Sequence, residues 1–243
     1  MLLEMLNVLE NFNLRDMTHN SSEYIRIVSE TMKRATLDKE MFVGDPLFID
    51  VPLEKLLSKE YASEVSNKIK KNERTFIKRV TQIEPKNTTH VSVIDQEGNC
   101  VTMTHSLGMP SGVITDGLGF MFNGCMAVFD PRPGRAGSIA PGKSRFSSLA
   151  PTIVTKDGNP HIVLGAPGGT QIAMGILQAI INVIDFDMTM LEAVSAPRFS
   201  STSNIIDVTN RIPNYVTHEL EKQDYEGIRS PLTFGVAAVH GIR

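Results

Sequence analysis

The spacing of apolar residues changes from helical to alternating near residue 88, and this change limits the folds that the chain can adopt. Upstream of it, apolar residues recur three or four positions apart, which is typical of amphipathic helices. This spacing predicts helices over 1–10, after Ser21 and Ser22, and over 60–70. Downstream, apolar and polar residues alternate, as they do in strands that bury one face.

Two alternating segments, 88–95 and 99–106, flank a turn of sequence Gln-Glu-Gly and predict an antiparallel hairpin. Across a short turn, Thr88 lies opposite Ser106 on one face of this hairpin. Two further hydroxyl residues of the second strand share that face: Thr102 and Thr104. Because β-branched threonine suits strands for structural reasons alone, the pattern by itself assigns no chemical role to Thr88.

Further strands and helices are predicted after the hairpin. The strands are 119–122, 151–155, 161–164, 205–208 and 234–240. The helices are 168–185, 191–195 and 215–223. Because 168–185 is the longest apolar periodic run, we expect it to be buried against a sheet. The pattern therefore predicts a mixture of helices and strands in which helices cover antiparallel sheet.

The segment 72–87 carries charge and little periodicity, and it predicts an exposed connector in which a cut would sever little packing. It divides the chain into a helical part, 1–87, and a strand-rich part, 88–243. Helical spacing begins at Met1 without an N-cap or a signal peptide, which favours part of a larger protein. The compartment stays open, with the cytoplasm favoured.

The composition is that of an ordinary folded globular protein, with 41% hydrophobic and 21% charged residues among 243. A formal net charge of -3 gives no concentrated basic face for nucleic acid or an anionic membrane surface. No apolar run reaches the roughly 18 residues that a membrane helix needs. We therefore expect neither nucleic acid nor a membrane as a partner.

The cysteines and histidines predict no metal site. Cys100 and Cys125 lack CxxC spacing, so neither a disulfide framework nor a zinc site is indicated. The 6 histidines also lack the spacing of metal ligands. We therefore expect no metal.

Thr88 is a candidate nucleophile. A threonine hydroxyl needs a base, and at a chain terminus the residue's own α-amino group can be that base. This amine has an ordinary pKa of about 7.7 to 8.0, so part of it is neutral near neutral pH. Attack of the Thr88 hydroxyl on the Asn87 carbonyl, followed by hydrolysis of the ester, would expose the amine. Cleavage between Asn87 and Thr88 is therefore our hypothesis.

A glycine-rich turn follows the strand predicted at 161–164 and opens the apolar helix. The backbone N–H groups of Gly168 and Gly169 could there stabilise an oxyanion. A phosphate loop is disfavoured, because no Gly-Lys-Ser/Thr follows. The alternative that these glycines only permit a tight turn stays open.

Several motifs occur in an order that resembles the γ-glutamyltransferase family, also called γ-glutamyl transpeptidase. They are Thr88-Thr89-His90-x-Ser92-Val93-x-Asp95, Gly98-Asn99, Ser147-Ser148-x-x-Pro151-Thr152-Ile153-Val154, Gly165-x-Pro167-Gly168-Gly169 and Ala196-Pro197-Arg198-Phe199. The resemblance implies an α+β, four-layer αββα N-terminal nucleophile hydrolase fold that is incomplete in this chain. It also implies that 1–87 ends the family's large subunit and that 88–243 is most of its small subunit.

The resemblance further implies a self-processing proenzyme that transfers an acyl group from an amide through an ester on Thr88. Neither a metal nor an organic cofactor is required. Position by position, it implies that Ser106 contacts the nucleophile's amine, that Ser147 and Ser148 contact the substrate carboxylate, and that Gly168 and Gly169 form the oxyanion hole.

Three substrate-binding positions depart from the pattern of the γ-glutamyl-specific members. Where those members present asparagine, glutamine and aspartate, this chain has Gly108, Cys125 and Val128. The segment 129–143 is also shorter than the stretch that bears the transpeptidase lid loop, and it resembles the subgroup of oxamate amidohydrolase. Because an open site favours water over an amine acceptor, we expect hydrolysis of a γ-glutamyl or related amide, as in glutathione metabolism, more than transfer. Four basic residues either contact an acidic acyl group or are solvated loop charges: Arg132, Arg135, Lys143 and Arg145.

Other functions stay open from the sequence. The alternatives are an inactive remnant or partner subunit, a binding module without turnover, and an amidohydrolase with a substrate other than γ-glutamyl. The family's large subunit begins well upstream of the position of Met1. The expected partners are therefore a small amide, and either the missing large-subunit portion or a second copy in a homo-oligomer.

Overall fold

A computed structural model describes residues 1–77 and 87–243 of the chain. Its first part is helical, as predicted. The helices are α1 (Leu2–Leu9), α2 (Ser22–Phe42), α3 (Leu53–Leu56) and α4 (Lys59–Lys70). The hydroxyls of Ser21 and Ser58 cap α2 and α4 by accepting hydrogen bonds from the N–H groups of Tyr24 and Tyr61. These caps fix where the two long helices begin.

The second part alternates between strands and helices. The strands are β1 (Thr88–Ile94), β2 (Cys100–Ser106), β3 (Pro110–Ile114), β4 (Met121–Asn123), β5 (Thr152–Lys156), β6 (Asn159–Gly165), β7 (Phe199–Ser200), β8 (Ile206–Val208), β9 (Gly227–Arg229) and β10 (His240–Ile242). The helices are α5 (Ile172–Ile184), α6 (Met190–Ser195) and α7 (Asn214–Glu221). The predicted α+β fold is confirmed.

The predicted hairpin is present with the predicted register. Strands β1 and β2 pair antiparallel, and Thr88 lies opposite Ser106. The carboxylate of Asp95 accepts hydrogen bonds from the N–H groups of Glu97 and Asn99, which fixes the turn between the strands. Because the geometry of the turn fixes the pairing register of both strands, it also determines which residue lies opposite Thr88.

The centre of the molecule is a three-stranded antiparallel sheet in the order β10-β6-β5. Helix α5 covers one face of it, where Ile162 and Leu164 of β6 pack against the buried side of the helix. The β1–β2 hairpin covers the other face, and the side chain of His90 lies against Gly165. Helix, sheet and hairpin are three consecutive layers of the four that the αββα arrangement requires.

The middle of the outward face of the hairpin is apolar and exposed. It carries Val91, Val93, Val101 and Met103, and Thr89 and His105 lie beyond them at one end. The inward face carries Thr88, Thr102, Thr104 and Ser106, as the alternation of strands requires. The chemistry of the hairpin therefore faces the sheet.

One hydrophobic core joins the two parts of the chain. It combines buried residues of α1, α2 and α4 with residues of α5, β7, β8 and α7. Tyr24 of α2, for example, packs edge-to-face on Phe199 with ring centroids 6.0 Å apart. The division at 87–88 is therefore not a division of the core.

Three expectations differ from the structure. The strand predicted at 234–240 is limited to His240–Ile242, because the carbonyls of Val236 and Ala237 accept hydrogen bonds from Arg198 instead of a neighbouring strand. The helix predicted from 168 begins at Ile172, after a 3₁₀ turn over Gly169–Gln171.

The third difference concerns the connector predicted over 72–87. Ile77 is buried, and it exchanges backbone hydrogen bonds with the amide side chain of Asn204. Thr75 donates its N–H to Glu30. The beginning of this segment is therefore anchored to the body of the protein, while residues 78–86 lie outside the described residues.

Candidate active site

Thr88 is the first residue of β1, and its hydroxyl lies 2.8 Å from the hydroxyl of Ser106. The Ser106 hydroxyl also donates to the Asn87 carbonyl, at 3.2 Å, and accepts from the N–H of Gly108, at 2.9 Å. A serine hydroxyl has one proton to donate. When that proton is directed to Asn87, the Thr88 hydroxyl donates to Ser106. Ser106 therefore joins the candidate nucleophile to the carbonyl that it would attack.

Gly108 and Cys125 lie in contact beside this group. Gly108 has a φ of +64, a left-handed conformation that favours glycine. A Cβ built on it would lie 2.9 Å from the Cys125 sulfur. The Cys125 thiol donates weakly to the carbonyl of Leu107, at 3.5 Å. Two of the three positions that depart from the γ-glutamyl pattern are thus packed together next to Ser106.

His90 lies on the same face of β1 as Thr88, two residues further along, and is buried. Its Nδ1 atom lies 2.8 Å from the Thr104 hydroxyl, and its Nε2 atom lies 3.0 Å from the Ser92 hydroxyl. The histidine spacing bears only on metal binding, and His90 has no role among the sequence predictions. The period of two that placed Ser106 opposite Thr88 also places His90 on the inward face, and this was the available signal.

The glycine turn lies between β6 and α5. Gly168 has a φ of +146, so it adopts a backbone conformation that side chains disfavour. It is followed by the 3₁₀ turn that begins at Gly169. The first N–H groups of a helical segment have no carbonyl partner within that segment. The N–H groups at the start of this turn therefore suit a developing negative charge.

Arg198 contacts this turn indirectly, through Ala237. The sequence placed Arg198 in a motif but did not indicate this contact. Its buried guanidinium donates to the carbonyls of Val194, Val236 and Ala237. Ala237 lies directly against Gly168, where an added Cβ would be 2.8 Å from the Cα of Ala237. Burial lowers the pKa of Arg198 to about 10, so the side chain stays charged at neutral pH.

Ser147 and Ser148 lie in an irregular segment that precedes β5. Both line a cavity of about 280 Å³, together with Thr170, which directly follows Gly169. The structure thus brings the serine pair to the start of the glycine turn. Thr88 is not among the residues that line this cavity.

The segment that carries the serine pair is tied to the upstream part of the chain by Asp45. One carboxylate oxygen of Asp45 accepts from the N–H of Ser144, at 2.7 Å, and the other accepts from the N–H of Leu47, at 3.0 Å. These backbone donors lower the pKa of the Asp45 carboxyl. Asp45, in the sequence Gly44-Asp45-Pro46 that follows α2, therefore links this loop to the serine segment.

The other predicted contacts lie earlier in the chain, between β4 and the serine pair. Val128 ends a short 3₁₀ turn over Cys125–Val128 and is half-buried. Arg132 forms a bidentate pair with Asp130, which holds the pKa of that carboxyl at about 2. Arg135 approaches the same carboxylate to 3.8 Å. These two arginines thus have an acidic partner within the loop.

The remaining two basic residues bind backbone carbonyls. The ammonium of Lys143 donates to the carbonyl of Ala136, at 2.8 Å, and the guanidinium of Arg145 donates to the carbonyl of Phe146, at 2.9 Å.

Within 1–77 and 87–243, no group of three histidine, cysteine, aspartate or glutamate side chains is arranged to hold a metal ion. Among the helices of these ranges, none has the length and apolar character of a membrane span.

The geometry can support acyl transfer. A hydroxyl nucleophile lies beside a peptide carbonyl, and a second hydroxyl contacts both. A glycine turn with orphan N–H groups lies at the end of the adjacent sheet strand, and a serine pair lies near that turn. These are a candidate nucleophile, a candidate proton relay and a candidate oxyanion site.

Comparison with known proteins finds a match over residues 1–243 to the family model described as gamma-glutamyltranspeptidase. The chain is 36% identical over 235 residues to the acylase ACY 1 proenzyme of Pseudomonas sp. (strain V22), covering 96% of this chain and 42% of the relative. It is 34% identical over 215 residues to the glutathione hydrolase proenzyme of Escherichia coli (strain K12), covering 82% of this chain and 37% of the relative.

A solved structure extends this likeness to the fold. The cephalosporin acylase of Bacillus halodurans superposes with a TM-score of 0.81 at 26% identity, over 96% of this chain and 43% of that one. The chain thus spans about two fifths of the length of the curated relatives that it matches first. It has the N-terminal nucleophile hydrolase fold over the part that it shares with them.

Proposed function

Because this chain belongs to the γ-glutamyltranspeptidase family, we propose that it is the catalytic region of a self-processing amide hydrolase with Thr88 as nucleophile. The single observation that carries the proposal is the position of the Ser106 hydroxyl. It lies 2.8 Å from the Thr88 hydroxyl and 3.2 Å from the Asn87 carbonyl oxygen. A relay of this kind serves the cleavage that would make Thr88 a chain terminus.

The cleavage proceeds in two steps. The Thr88 oxygen attacks the Asn87 carbonyl carbon and loses its proton, the C–N bond breaks, and the nitrogen takes up one proton in exchange to become the α-amine of Thr88. Water then hydrolyses the ester between Asn87 and Thr88, which releases the Asn87 carboxylate and restores the hydroxyl. Ser106 serves the first step by donating to the carbonyl oxygen on which negative charge develops.

The same oxygen then acts on the substrate. The free α-amine of Thr88 accepts the hydroxyl proton as the oxygen attacks an amide carbonyl. The N–H groups of Gly168 and Gly169 stabilise the oxyanion, and the amine product leaves with the proton. Water hydrolyses the resulting ester, so the net reaction converts an amide to an acid and an amine.

We favour water over an amine acceptor, and an acyl group other than a strict γ-glutamyl group. Gly108 and Cys125 present no charged or amide group for an α-amino acid head, and the contact between them leaves no room for a larger side chain at 108. Ser147 and Ser148, at the cavity beside Thr170, are proposed to bind the carboxylate of the acyl group.

We further propose that residues 1–87 correspond to the end of a large subunit and 88–243 to most of a small one. The shared core would hold the two products of cleavage together. The relatives named above are proenzymes that extend well beyond the matched region. The active form is therefore proposed to include further polypeptide or a second copy.

Mass spectrometry of the purified protein tests the proposal. We expect two products that meet between Asn87 and Thr88, and none from Thr88→Ala. Thr89→Ala is the matched control, since Thr89 is the adjacent threonine and is exposed on the other face of β1. An intact wild-type chain after long incubation at neutral pH would instead support an inactive remnant or a binding module.

A further inference from the structure

The ring of His90 lies where the strand of the nucleophile meets the strand that leads into the glycine turn. Gly165 is the last residue of β6, three positions before Gly168. A Cβ built on Gly165 would lie 2.2 Å from Cε1 of His90 and 2.5 Å from its Nδ1. The ring therefore rests directly on the backbone of Gly165, and no side chain fits between the two.

Hydrogen bonds fix the ring in this place. Nδ1 contacts the Thr104 hydroxyl of β2, at 2.8 Å, and Nε2 contacts the Ser92 hydroxyl of β1, at 3.0 Å. Thr102 lies 3.3 Å from Nε2 and donates to the carbonyl of Leu164, at 3.2 Å. The ring is thus tied to both hairpin strands and, through Thr102, to the residue before Gly165.

The ring has a defined orientation and charge. Burial, together with the nearby ring of His240, lowers the pKa of His90 below its ordinary value. The imidazole is therefore neutral at neutral pH, with one donor and one acceptor nitrogen. All close polar neighbours of the ring are hydroxyls, which can donate or accept a hydrogen bond. Each ring nitrogen therefore has a hydrogen-bond partner in either tautomer.

Acyl transfer requires the attacking oxygen and the oxyanion donors to stand at a fixed separation, and a misplacement of about 1 Å can cost roughly 100-fold in rate. Thr88 is two residues from His90 on one strand, and Gly168 is three residues from Gly165 on the other. We infer that His90 is a positioning residue whose ring, seated on Gly165, sets the distance between the Thr88 hydroxyl and the N–H groups of the glycine turn. This inference rests on the proposed function.

A buried histidine with hydrogen-bonded nitrogens could also serve stability alone. Both roles predict a lower melting temperature when the ring is removed. Only the positioning role predicts that kcat falls while KM is retained in protein that remains folded. Only that role also predicts that a change at Gly165 compensates a change at His90.

The experiment uses His90→Ala, Gly165→Ala and the double variant, each in the full-length protein. The first readout is the rate of cleavage after Asn87. The second is kcat and KM for one amide substrate. That substrate is the one that the wild type hydrolyses fastest in a panel of a γ-glutamyl anilide and dicarboxylic half-amides. We expect each single variant to lower kcat about 100-fold with KM little changed. In the double variant, the methyl group added at position 165 occupies space that the ring has left, and we expect kcat to rise at least about 10-fold above that of Gly165→Ala.

Two matched controls separate these effects from general damage. Gly227→Ala adds a methyl group 3.8 Å from its nearest neighbour, the carbonyl oxygen of Ile206. His218→Ala removes an exposed imidazole on α7. We expect both controls to keep wild-type kcat.

A more conservative variant at position 90 allows the test to be made even if His90→Ala does not fold. His90→Gln keeps a polar side chain that can reach Thr104 or Ser92, and we expect its kcat to lie between those of wild type and His90→Ala. An active wild type with unchanged kcat in folded His90→Ala or His90→Gln, or additive losses in the double variant, would overturn the inference alone. A wild type that neither cleaves itself nor hydrolyses any of the amides would overturn the proposed function and the inference with it.

Discussion

The hydroxyl of Ser106 lies within hydrogen-bonding distance of both the Thr88 hydroxyl and the Asn87 carbonyl oxygen. The N–H of Gly108 supplies a third contact, so the number of polar neighbours matches the one donor and two acceptor sites of a hydroxyl. With the serine proton directed at the carbonyl, the threonine proton is directed at the serine. The proposed attack on the carbonyl requires this order.

The first prediction concerns Ser106. Ser106→Ala removes the donor to the Asn87 carbonyl and the acceptor for the Thr88 proton, and we expect cleavage to slow about 100-fold. Ser106→Thr retains the hydroxyl and should retain most of the rate. Mass spectrometry over a time course at neutral pH measures both. Equal rates in the alanine and threonine variants would show that the hydroxyl is not used.

The hairpin and Ser106 were predictable from the sequence because both depend on local rules. A turn fixes the register, and a period of two fixes the face, so Thr88 and Ser106 could be paired by counting along the chain. The helices were predictable for the same reason, since their spacing and their serine caps are local.

Contacts between layers were not predictable in this way. The seat of His90 on Gly165 joins residues that are far apart in sequence, and no periodicity indicates it. The strand expected at 234–240 was wrong for a related reason. Its local pattern was that of a strand, but Arg198 binds the carbonyls that a neighbouring strand would need. Tertiary contacts of this kind override local propensity.

The second prediction concerns Arg198. Arg198→Lys keeps the charge but loses the planar group that binds the carbonyls of Val194, Val236 and Ala237. Because buried carbonyls would be left unpaired, we expect the free energy of unfolding to fall by about 1 to 3 kcal/mol. Since Ala237 lies against Gly168, kcat should fall as well.

Denaturant unfolding and steady-state kinetics measure the two effects of Arg198→Lys. Arg15→Lys is the matched control, because Arg15 is exposed and pairs with Asp187 at 3.3 Å. We expect that control to behave as wild type in both measurements. An unchanged kcat in a destabilised Arg198→Lys protein would mean that Arg198 supports the fold without supporting the glycine turn.

The third prediction concerns pH and Glu4. Burial raises the pKa of Glu4 from 4.5 to about 8, and the Asp38 carboxyl adds to this effect. The folded protein therefore binds more protons than the unfolded chain between these values, and its stability falls as pH rises from about 4.5 to about 8. Glu4→Gln removes this proton and should flatten the decline.

Thermal unfolding at several pH values measures this decline. We expect Glu4→Gln to melt at a higher temperature than wild type near pH 8, and to differ least at the acidic end of the window. Glu54→Gln, at an exposed position on α3, is the control and should leave the pH dependence unchanged. A parallel decline in wild type and Glu4→Gln would show that another group is responsible.

The fourth prediction concerns substrate choice and uses the contact between Gly108 and Cys125. Among residues with side chains, asparagine tolerates the left-handed conformation of position 108 comparatively well. Its Cβ would nevertheless lie 2.9 Å from the Cys125 sulfur, so Gly108→Asn alone should be poorly accommodated and less active. Adding Cys125→Ala removes the sulfur and makes room for the asparagine amide beside Ser106.

In the double variant we expect the kcat/KM ratio of a γ-glutamyl anilide to a dicarboxylic half-amide to rise about 10-fold, because a polar partner then exists for the amino acid head. Cys125→Ala alone adds no such partner and should leave the ratio unchanged. If the folded double variant also leaves it unchanged, position 108 does not contact the acyl group, and the preference for other amides has to arise at the serine pair.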